Sequence, residues 1–263
     1  MHSSFPVLEA HTKLFVCFGG VPAKNAQISA GGAFQHRVPG ALRRMAQAGC
    51  RFVNISPVRD DLDTSAEFEW IPIRPNTDTA LMLALGQVLL TEGLHEPEFL
   101  ARCTTGFERF APYLLGETDG QPKTPDWAEA ITGIPAARIA ALAREMAATR
   151  TMISAGWSLQ RAHHGEQPFW MALTLACMLG QIGLPGGGIG LGYGPTNLMG
   201  SPHPYFGGAS LPQGRNAVRD FIPVARITDM LERPGQAFRY NGGEHRYPDI
   251  RLIYWAGGNP FHH

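Results

Sequence analysis

Four short stretches of this 263-residue chain join glycine or proline turns to a cation or an amide, which suits a phosphorylated ligand. Turns of this kind let backbone N–H groups approach phosphate oxygens closely. The side chains of Lys24, Arg59 and Arg161 would balance the charge of a pyrophosphate. Together the stretches favour a dinucleotide ligand; they are residues 19–25 (GGVPAKN), 56–59 (SPVR), 156–161 (GWSLQR) and 257–260 (GGNP).

Asp78 offers a way to select the base of such a ligand. It stands at the start of a helix predicted over residues 79–91. Its two carboxylate oxygens would accept hydrogen bonds from N1–H and the exocyclic amine of guanine, a pair of donors that adenine lacks. The alternative is that Asp78 only caps the helix.

The other residues of this group also have roles that need no ligand. Lys24 and Arg59, taken singly, are typical of solvated surface cations, and Trp157 is typical of a core residue. The glycine pair at 257–258 is typical of an ordinary turn after a strand. The ligand hypothesis therefore depends on these stretches meeting in the fold.

Metal-site and hydrolase motifs are weak or absent in the sequence. Adjacent histidines at 163–164 and 262–263 point in different directions and have no carboxylate at ligand spacing, so no metal bound by them is expected. Neither GxSxG nor GxxxxGK[ST] occurs. The cysteines form no CxxC pair and are predicted to be buried, reduced thiols: Cys17, Cys50, Cys103 and Cys177.

Composition and charge indicate a folded globule with neither a nucleic-acid partner nor membrane insertion. The chain is 44% hydrophobic and 17% charged, and 22 Lys and Arg balance 22 Asp and Glu. The longest apolar run, residues 171–179, is shorter than the ~20 residues that a bilayer span needs. The N-terminal sequence does not resemble a signal peptide, which favours a cytoplasmic location and leaves a periplasmic one open.

The elements that must position these stretches alternate between strand and helix. The pattern predicts an α/β fold with an open, mostly parallel sheet, flanking helices and a helical insertion. Ligands bind outside the carboxyl ends of parallel strands, near the point where strand order reverses, so four strand ends would bring the stretches together. Strands are predicted at residues 14–18, 51–55, 70–73, 151–155 and 251–255.

The helices and loops complete this division of the chain. Residues 1–95 and 150–263 are predicted to form the dinucleotide-binding α/β part, and 96–149 the insertion. The glycine-rich stretch 180–214 is interpreted as a functional loop. Helices are predicted at residues 38–48, 79–91, 166–179 and 223–232, with four more between 96 and 148.

Two long strings of residues resemble the molybdopterin oxidoreductases of the dimethyl sulfoxide, trimethylamine N-oxide and biotin sulfoxide reductase group. They are residues 157–167 (WSLQRAHHGEQ) and 178–188 (MLGQIGLPGGG). Shorter matches at 75–83, 113–117 and 254–261 occur in the same order, so the resemblance covers nearly the whole chain.

The resemblance implies a molybdenum atom held between two molybdopterin guanine dinucleotides (bis-MGD), and reduction of a small sulfoxide or N-oxide by oxygen-atom transfer. Electrons would come from a donor protein or from reduced nicotinamide. The metal's protein ligand, usually a serine in this group, belongs to a segment upstream, so no catalytic residue or metal ligand is expected here. The expected cofactor-binding residues are Lys24, Asn25, Ser56, Pro57, Arg59, Asp78, Trp157, Ser158, Gln160, Arg161, Gly258, Asn259 and His262.

One position departs from the pattern of the group. Ser56 stands where the family usually has Asp before Pro57, and a serine offers one uncharged oxygen for a ribose where a carboxylate offers two. Asn54 is the nearby side chain expected to compensate.

Three alternatives to a complete reductase are open. The chain is expected to be a central piece of such an enzyme and inactive alone, which makes a truncated, non-catalytic cofactor-binding module the main alternative. An NAD dehydrogenase is disfavoured because no GxGxxG follows a strand. A purely structural interaction domain would need no cations and glycine turns converging at strand ends.

Overall fold

The computed structural model describes most of the chain as two compact units. Unit 1 is Met1–Tyr205 and unit 2 is Phe206–His263. The described residues are 2–22, 24–27, 36–62, 67–194, 199–201, 209, 211–218 and 221–256.

Unit 1 is built on a five-stranded sheet whose strands all run parallel. The strand order is β3-β2-β1-β4-β5, so the predicted α/β class with an open parallel sheet is confirmed. β1 lies at the centre and its five residues are all buried, which explains its continuous apolar sequence LFVCF. The strands are β1 (Leu14–Phe18), β2 (Arg51–Ile55), β3 (Glu69–Ile71), β4 (Thr151–Ala155) and β5 (Gly188–Leu191).

Successive side chains of β1 enter two different cores, one on each face of the sheet. Val16 and Phe18 join a large cluster with the helices that follow β3 and β4. Phe15 and Cys17 join a smaller cluster that also contains Tyr193. Because strand side chains alternate between faces, the sheet forms the middle layer between two helical layers.

Helices occupy the predicted positions of unit 1, with one that the sequence pattern did not reveal. The unpredicted helix is α1 (Phe5–His11). The others are α2 (Val38–Gln47), α3 (Asp78–Thr91), α4 (Pro97–Cys103), α5 (Phe107–Leu114), α6 (Pro125–Thr132), α7 (Ala136–Ala148) and α8 (Glu166–Met178). Thr124 caps α6, and its hydroxyl accepts a hydrogen bond from the Trp127 N–H.

The helical segment between β3 and β4 is held to the sheet by packing and by an ion pair. α3 is buried on most of its surface and contacts α5, α6, α7 and α8. Arg138 of α7 makes a bidentate pair with Glu69 of β3, at 2.5 and 2.6 Å. The four helices predicted between residues 96 and 148 therefore share one apolar core with the sheet.

A buried lysine fixes the turn between α5 and α6. The ammonium group of Lys123 lies 2.6 Å from the Asp119 carboxylate and donates to the Gln121 carbonyl. It also stands 4.3 Å from the ring centre of Tyr113 and 5.7 Å from that of Trp127.

Unit 2 contains a short helix and an antiparallel hairpin. These are α9 (Ile227–Glu232), within the predicted 223–232 helix, and strands β6 (Ala237–Tyr240) and β7 (Gly243–Arg246). The hairpin turns through Asn241 and Gly242, both at positive φ. The small core of unit 2 contains Met230, Phe238 and Tyr247.

Two of the predicted elements are wrong. Residues 251–255 were expected to be a strand, but they form none and are exposed, since no strand lies beside them in the described part of the chain. Leu252 and Tyr254 are 86% and 87% exposed. The stretch 180–214 was expected to be loop, but Gly188–Leu191 is β5, because its backbone hydrogen-bonds to β4 although glycine has little strand preference.

The cysteines are only partly as predicted. Cys17 and Cys50 are buried, Cys177 is half-buried and Cys103 is exposed. Cys103 is the last residue of the short helix α4, in which only Leu100 is buried.

Candidate functional site

The order of the strands reverses between β1 and β4. The chain adds β2 and β3 on one side of β1, passes through the helical segment, and then adds β4 and β5 on the other side. At such a point the loops after the two central strands diverge and leave a crevice at the carboxyl edge of the sheet. Two of the stretches that the sequence singled out, 19–25 and 156–161, follow these two strands.

A cavity of about 350 Å³ lies in this crevice, and we call it the switch-point cavity. It contains five of the predicted cofactor-binding side chains from two distant parts of the sequence, and one acid that was not predicted. Its lining consists of Gly19, Pro22, Lys24, Asn25, Asp61, Gly156, Trp157, Ser158 and Arg161.

Glycines form the floor of the switch-point cavity because the two loops approach each other too closely for side chains. A Cβ on Gly156 would lie 2.8 Å from the Gly19 carbonyl oxygen, and one on Gly19 would lie 3.1 Å from the Ser158 hydroxyl. Gly19 also has a φ of +78°, which other residues rarely adopt. The glycines therefore allow the loops after β1 and β4 to meet at the base of the cavity, while their N–H groups donate to the carbonyls of Ile55 and Phe18.

The cations of the cavity differ in their surroundings. Lys24 lies 3.8 Å from an oxygen of Asp61, but its side chain is 75% exposed. Arg161 is exposed and makes no ion pair with any residue that the structure describes. Arg161 is therefore the cation most available to an anionic ligand.

The short 3₁₀ segment Trp157–Arg161 separates two cavities. Trp157 and Ser158 face the switch-point cavity, whereas Leu159 borders a second cavity. Trp157 is 39% exposed, so its ring forms a wall of the crevice and not part of the core. Gln160 is exposed and lines neither cavity.

The stretch after β2 lies beside the switch-point cavity but turns away from it. Pro57 and Arg59 are exposed and do not line the cavity. Ser56 is buried, and its hydroxyl donates to Asp61 at 2.9 Å and accepts from the Val58 N–H at 3.2 Å. The expectation that Asn54 would compensate for Ser56 is wrong, because Asn54 is fully buried and donates to the Arg59 carbonyl.

Asp78 lines the second cavity, of about 470 Å³, which lies where α3 and α8 begin. It is the first residue of α3 and follows Thr77 at the N-cap, so it does not act as the cap. We call this the Asp78 cavity; its lining consists of Asn76, Asp78, Thr79, Leu159, Ala162, His163, His164, Gly165, Gln167 and Pro168.

Two features of the Asp78 cavity are typical of binding sites: its carboxyl group is buried, and two residues on its rim have positive φ angles. Burial raises the pKa of the Asp78 carboxyl to about 6, although a hydrogen bond from its own backbone opposes the shift. Asn76 and His164, on the rim, have positive φ values of 66° and 57°. Such strain in non-glycine residues is concentrated at binding sites.

The remaining predicted site residues are Gly258, Asn259 and His262. They lie outside the residues that the structure describes.

Comparison with known sequences decides the family. Residues 8–263 match the profile of the family described as Molybdopterin oxidoreductase. The chain belongs to this family.

Relatives of this molybdopterin oxidoreductase chain are named for sulfoxide and N-oxide substrates. Biotin sulfoxide reductase of Cereibacter sphaeroides is 51% identical over 96% of the chain and 34% of the relative. Dimethyl sulfoxide/trimethylamine N-oxide reductase of the same organism is 46% identical over 99% and 33%. Trimethylamine-N-oxide reductase of Haemophilus influenzae is 44% identical over 84% and 28%.

The molybdopterin oxidoreductase chain spans about a third of the length of the curated relatives it matches. The solved structure of acetylene hydratase from Pelobacter acetylenicus is similar over 69% of this chain and 23% of its own chain, with 20% sequence identity and a TM-score of 0.49. Membership of the family implies a molybdenum–molybdopterin cofactor.

The described residues of this molybdopterin oxidoreductase contain no group of three or more His, Cys, Asp or Glu side chains that could hold a metal ion. Within the same residues, no helix has the length and apolar character of a membrane span.

Sequence reasoning missed Asp61, which the structure places inside the switch-point cavity. The acidic pair at residues 60–61 follows Arg59 directly and gives no motif of its own. Only the fold shows which of the two acids faces inward.

Proposed function

We propose that this chain is the part of a molybdenum sulfoxide or N-oxide reductase that binds the cofactor in its bis-MGD form. The observation that carries the proposal is the switch-point cavity, where a glycine floor and two cations meet at the carboxyl edge of a parallel sheet. This is where α/β proteins bind nucleotides.

The residues present fit a nucleotide with a pyrophosphate. Gly19 and Gly156 let the loops after β1 and β4 pack closely, and their own N–H groups donate to the carbonyls of Ile55 and Phe18, so the cavity offers its cations to a phosphate. Arg161 has planar donors suited to phosphate oxygens, and Lys24 adds a mobile charge at the rim. We assign the pyrophosphate of one dinucleotide to these two side chains.

The Asp78 cavity is the proposed binding site of the guanine base. A buried carboxylate with two acceptor oxygens is suited to the N1–H and amine edge of guanine. In this arrangement Asp78 selects the base and holds it, while the walls formed by Leu159 and Pro168 exclude water.

When bound, the cofactor supplies the redox chemistry, in which an oxygen atom is transferred from the substrate. The residues of this chain bind and orient the dinucleotide. The proposed substrate class, a small sulfoxide or N-oxide, is supported by the names of the relatives. A donor protein or reduced nicotinamide is proposed as the electron source.

A truncated cofactor-binding module without catalysis is the second candidate. The span of about a third of the relatives' length favours it. Under this alternative the chain retains guanine nucleotide but reduces no substrate.

The test measures molybdenum, and GMP after acid hydrolysis, per mole of protein purified from cells that make the cofactor. Guanine nucleotide with molybdenum supports the reductase, and nucleotide with little molybdenum supports the binding module. No nucleotide in folded protein would contradict both.

Two variants test the site assignment. Arg161→Ala and Lys24→Ala should reduce the bound nucleotide, and Arg161→Ala should weaken binding by about tenfold or more because a charge-assisted hydrogen bond is lost. Arg109→Ala, which removes an exposed cation from α5, serves as the matched control and should change nothing. Unchanged nucleotide in Arg161→Ala would show that the pyrophosphate does not lie here.

A further inference from the structure

Asp61 brings a negative charge into a cavity that the proposed function assigns to a phosphorylated ligand. Its side chain is 19% exposed and lines the switch-point cavity together with Lys24 and Arg161. An isolated carboxylate in this place would repel a phosphate. Its presence therefore needs an explanation that the pyrophosphate alone does not provide.

The backbone of Asp61 is locked to the loop after β1. The Val21 N–H donates to the Asp61 carbonyl at 2.6 Å, and Val21 forms a parallel bridge with Leu62. A Cβ on Gly20 would overlap the same carbonyl oxygen. The carboxylate is thus held at a fixed place relative to the glycine floor.

The side chain of Asp61 is oriented by Ser56. The Ser56 hydroxyl donates to Oδ2 of Asp61, accepts from the Val58 N–H, and is buried. A carboxylate has about four acceptor positions, and Ser56 occupies one of them. Oδ1 faces Lys24, whose side chain is largely exposed and free to turn toward a phosphate.

The lining of the cavity therefore carries charges of both signs. Arg161 favours phosphate, whereas Asp61 favours a neutral hydrogen-bond donor. In a nucleotide, the neutral donors next to the phosphates are the hydroxyls of the ribose. A carboxylate accepts hydrogen bonds from two neighbouring hydroxyls at once.

We propose that Asp61 is a specificity-determining residue that accepts hydrogen bonds from the ribose hydroxyls of the bound nucleotide, and that Ser56 is a positioning residue that acts through it. This rests on the proposed function. It gives Ser56, one of the expected cofactor-binding residues, an indirect role through its hydrogen bond to the Asp61 carboxylate.

The test compares Asp61→Asn with Asp60→Asn in protein purified from cells that make the cofactor. Both variants remove one negative charge, but Asp60 is exposed and does not line the cavity. Bound GMP should fall by about tenfold or more in Asp61→Asn and stay unchanged in Asp60→Asn. A rise in Asp61→Asn would show that the carboxylate only repels phosphate, and would overturn the proposal.

A second measurement needs no variant and applies even if Asp61→Asn folds poorly. Equilibrium dialysis compares GDP with 2′,3′-dideoxy-GDP on the wild-type protein. The dideoxy nucleotide should bind the wild-type protein about tenfold more weakly or worse. Equal wild-type affinity for the two nucleotides overturns the proposal.

Ser56→Ala tests the positioning role. It should weaken retention of the nucleotide, and the double variant Ser56→Ala/Asp61→Asn should retain as much as Asp61→Asn alone. Additive losses would mean that Ser56 touches the nucleotide directly.

The outcomes separate this inference from the proposed function. If Arg161→Ala releases nucleotide but Asp61→Asn does not, the inference fails and the proposed function stands. If wild-type protein holds no nucleotide and binds no GDP, the proposed function fails and the inference fails with it.

Discussion

The buried carboxylate of Asp78 should lower the stability of the folded protein at high pH, although the same carboxylate is proposed to bind the nucleotide base. The pKa of its carboxyl is raised from 3.8 to about 6, and the residue is 4% exposed. A raised carboxyl pKa stabilises the folded state below the unfolded pKa, and this stability is lost as the pH rises through about 6. Asp78→Asn should therefore raise the free energy of unfolding at pH 8, by about 3 kcal/mol at most, and bring no gain near pH 3.5.

Urea unfolding of ligand-free protein at several pH values measures this gain. Glu117→Gln, which neutralises an exposed acid, is the control and should give a flat difference across the same range. The same Asp78→Asn variant should retain less guanine nucleotide, since an amide offers one acceptor where the carboxylate offers two. A variant that is less stable at pH 8 would contradict the assigned cause of the shift.

Single residues were predictable where their chemistry was distinctive. Lys24, Arg59 and Arg161 were expected to come together from glycine turns and charge; Lys24 and Arg161 share the switch-point cavity, whereas Arg59 does not line it. The position of Asp61 and the orientation of Ser56 were not predictable, because the direction of a side chain in a short loop depends on the hydrogen bonds of that loop. Ordinary acids in such loops give no pattern.

A larger residue in place of Gly156 tests whether the loops after β1 and β4 need glycine in order to pack together. Gly156 has φ −73° and ψ 150°, which alanine adopts without strain, but a Cβ there would lie 2.8 Å from the Gly19 carbonyl oxygen. Gly156→Ala should therefore destabilise the fold by about 1–3 kcal/mol through overpacking, and should also lower nucleotide retention.

Gly49→Ala is the matched control for this variant. Gly49 has a φ of +83° and open space where a Cβ would stand, so alanine there brings backbone strain without a clash. It should destabilise by about 1 kcal/mol and leave nucleotide retention unchanged. Thermal unfolding and bound GMP measure both effects, and equal retention in the two variants would remove the steric role assigned to the floor.

At the level of elements, strong periodicity was a better guide than composition. β1, β2, β4 and the helices α3 to α8 were predictable because each has a long apolar pattern or a cap such as Thr124. β5 was missed because its glycines suggested a loop, whereas Gly190 leaves room for the Tyr193 ring. The Asn241–Gly242 turn is a strong hairpin signal that would have revealed β6 and β7.

The helical segment and the sheet of unit 1 share one core and should unfold together. Leu142 of α7 is buried in the same cluster as Val16 and Ile153 of the sheet. Leu142→Ala should lower the free energy of unfolding by about 3 kcal/mol, because it removes apolar contacts and leaves a cavity.

Hydrogen exchange followed by mass spectrometry shows whether the loss is shared. Peptides from α7 and from β1 should lose protection by the same amount in Leu142→Ala. Leu173→Ala, at a site that is 46% exposed, should leave both protected. Faster exchange confined to α4 to α7 would mean that the helical segment opens as a separate unit.

The pairing of β1 with β4 also has a consequence for the order of events during synthesis. Leu14 pairs with Thr151, so the two walls of the switch-point cavity come from parts of the chain that are made far apart in time. Contacts of such large sequence separation form late in folding, after local units such as β1-α2-β2. The switch-point cavity cannot form until residue 161 has emerged and β4 has paired with β1, so a ligand of this cavity would bind only after the two central strands have come together.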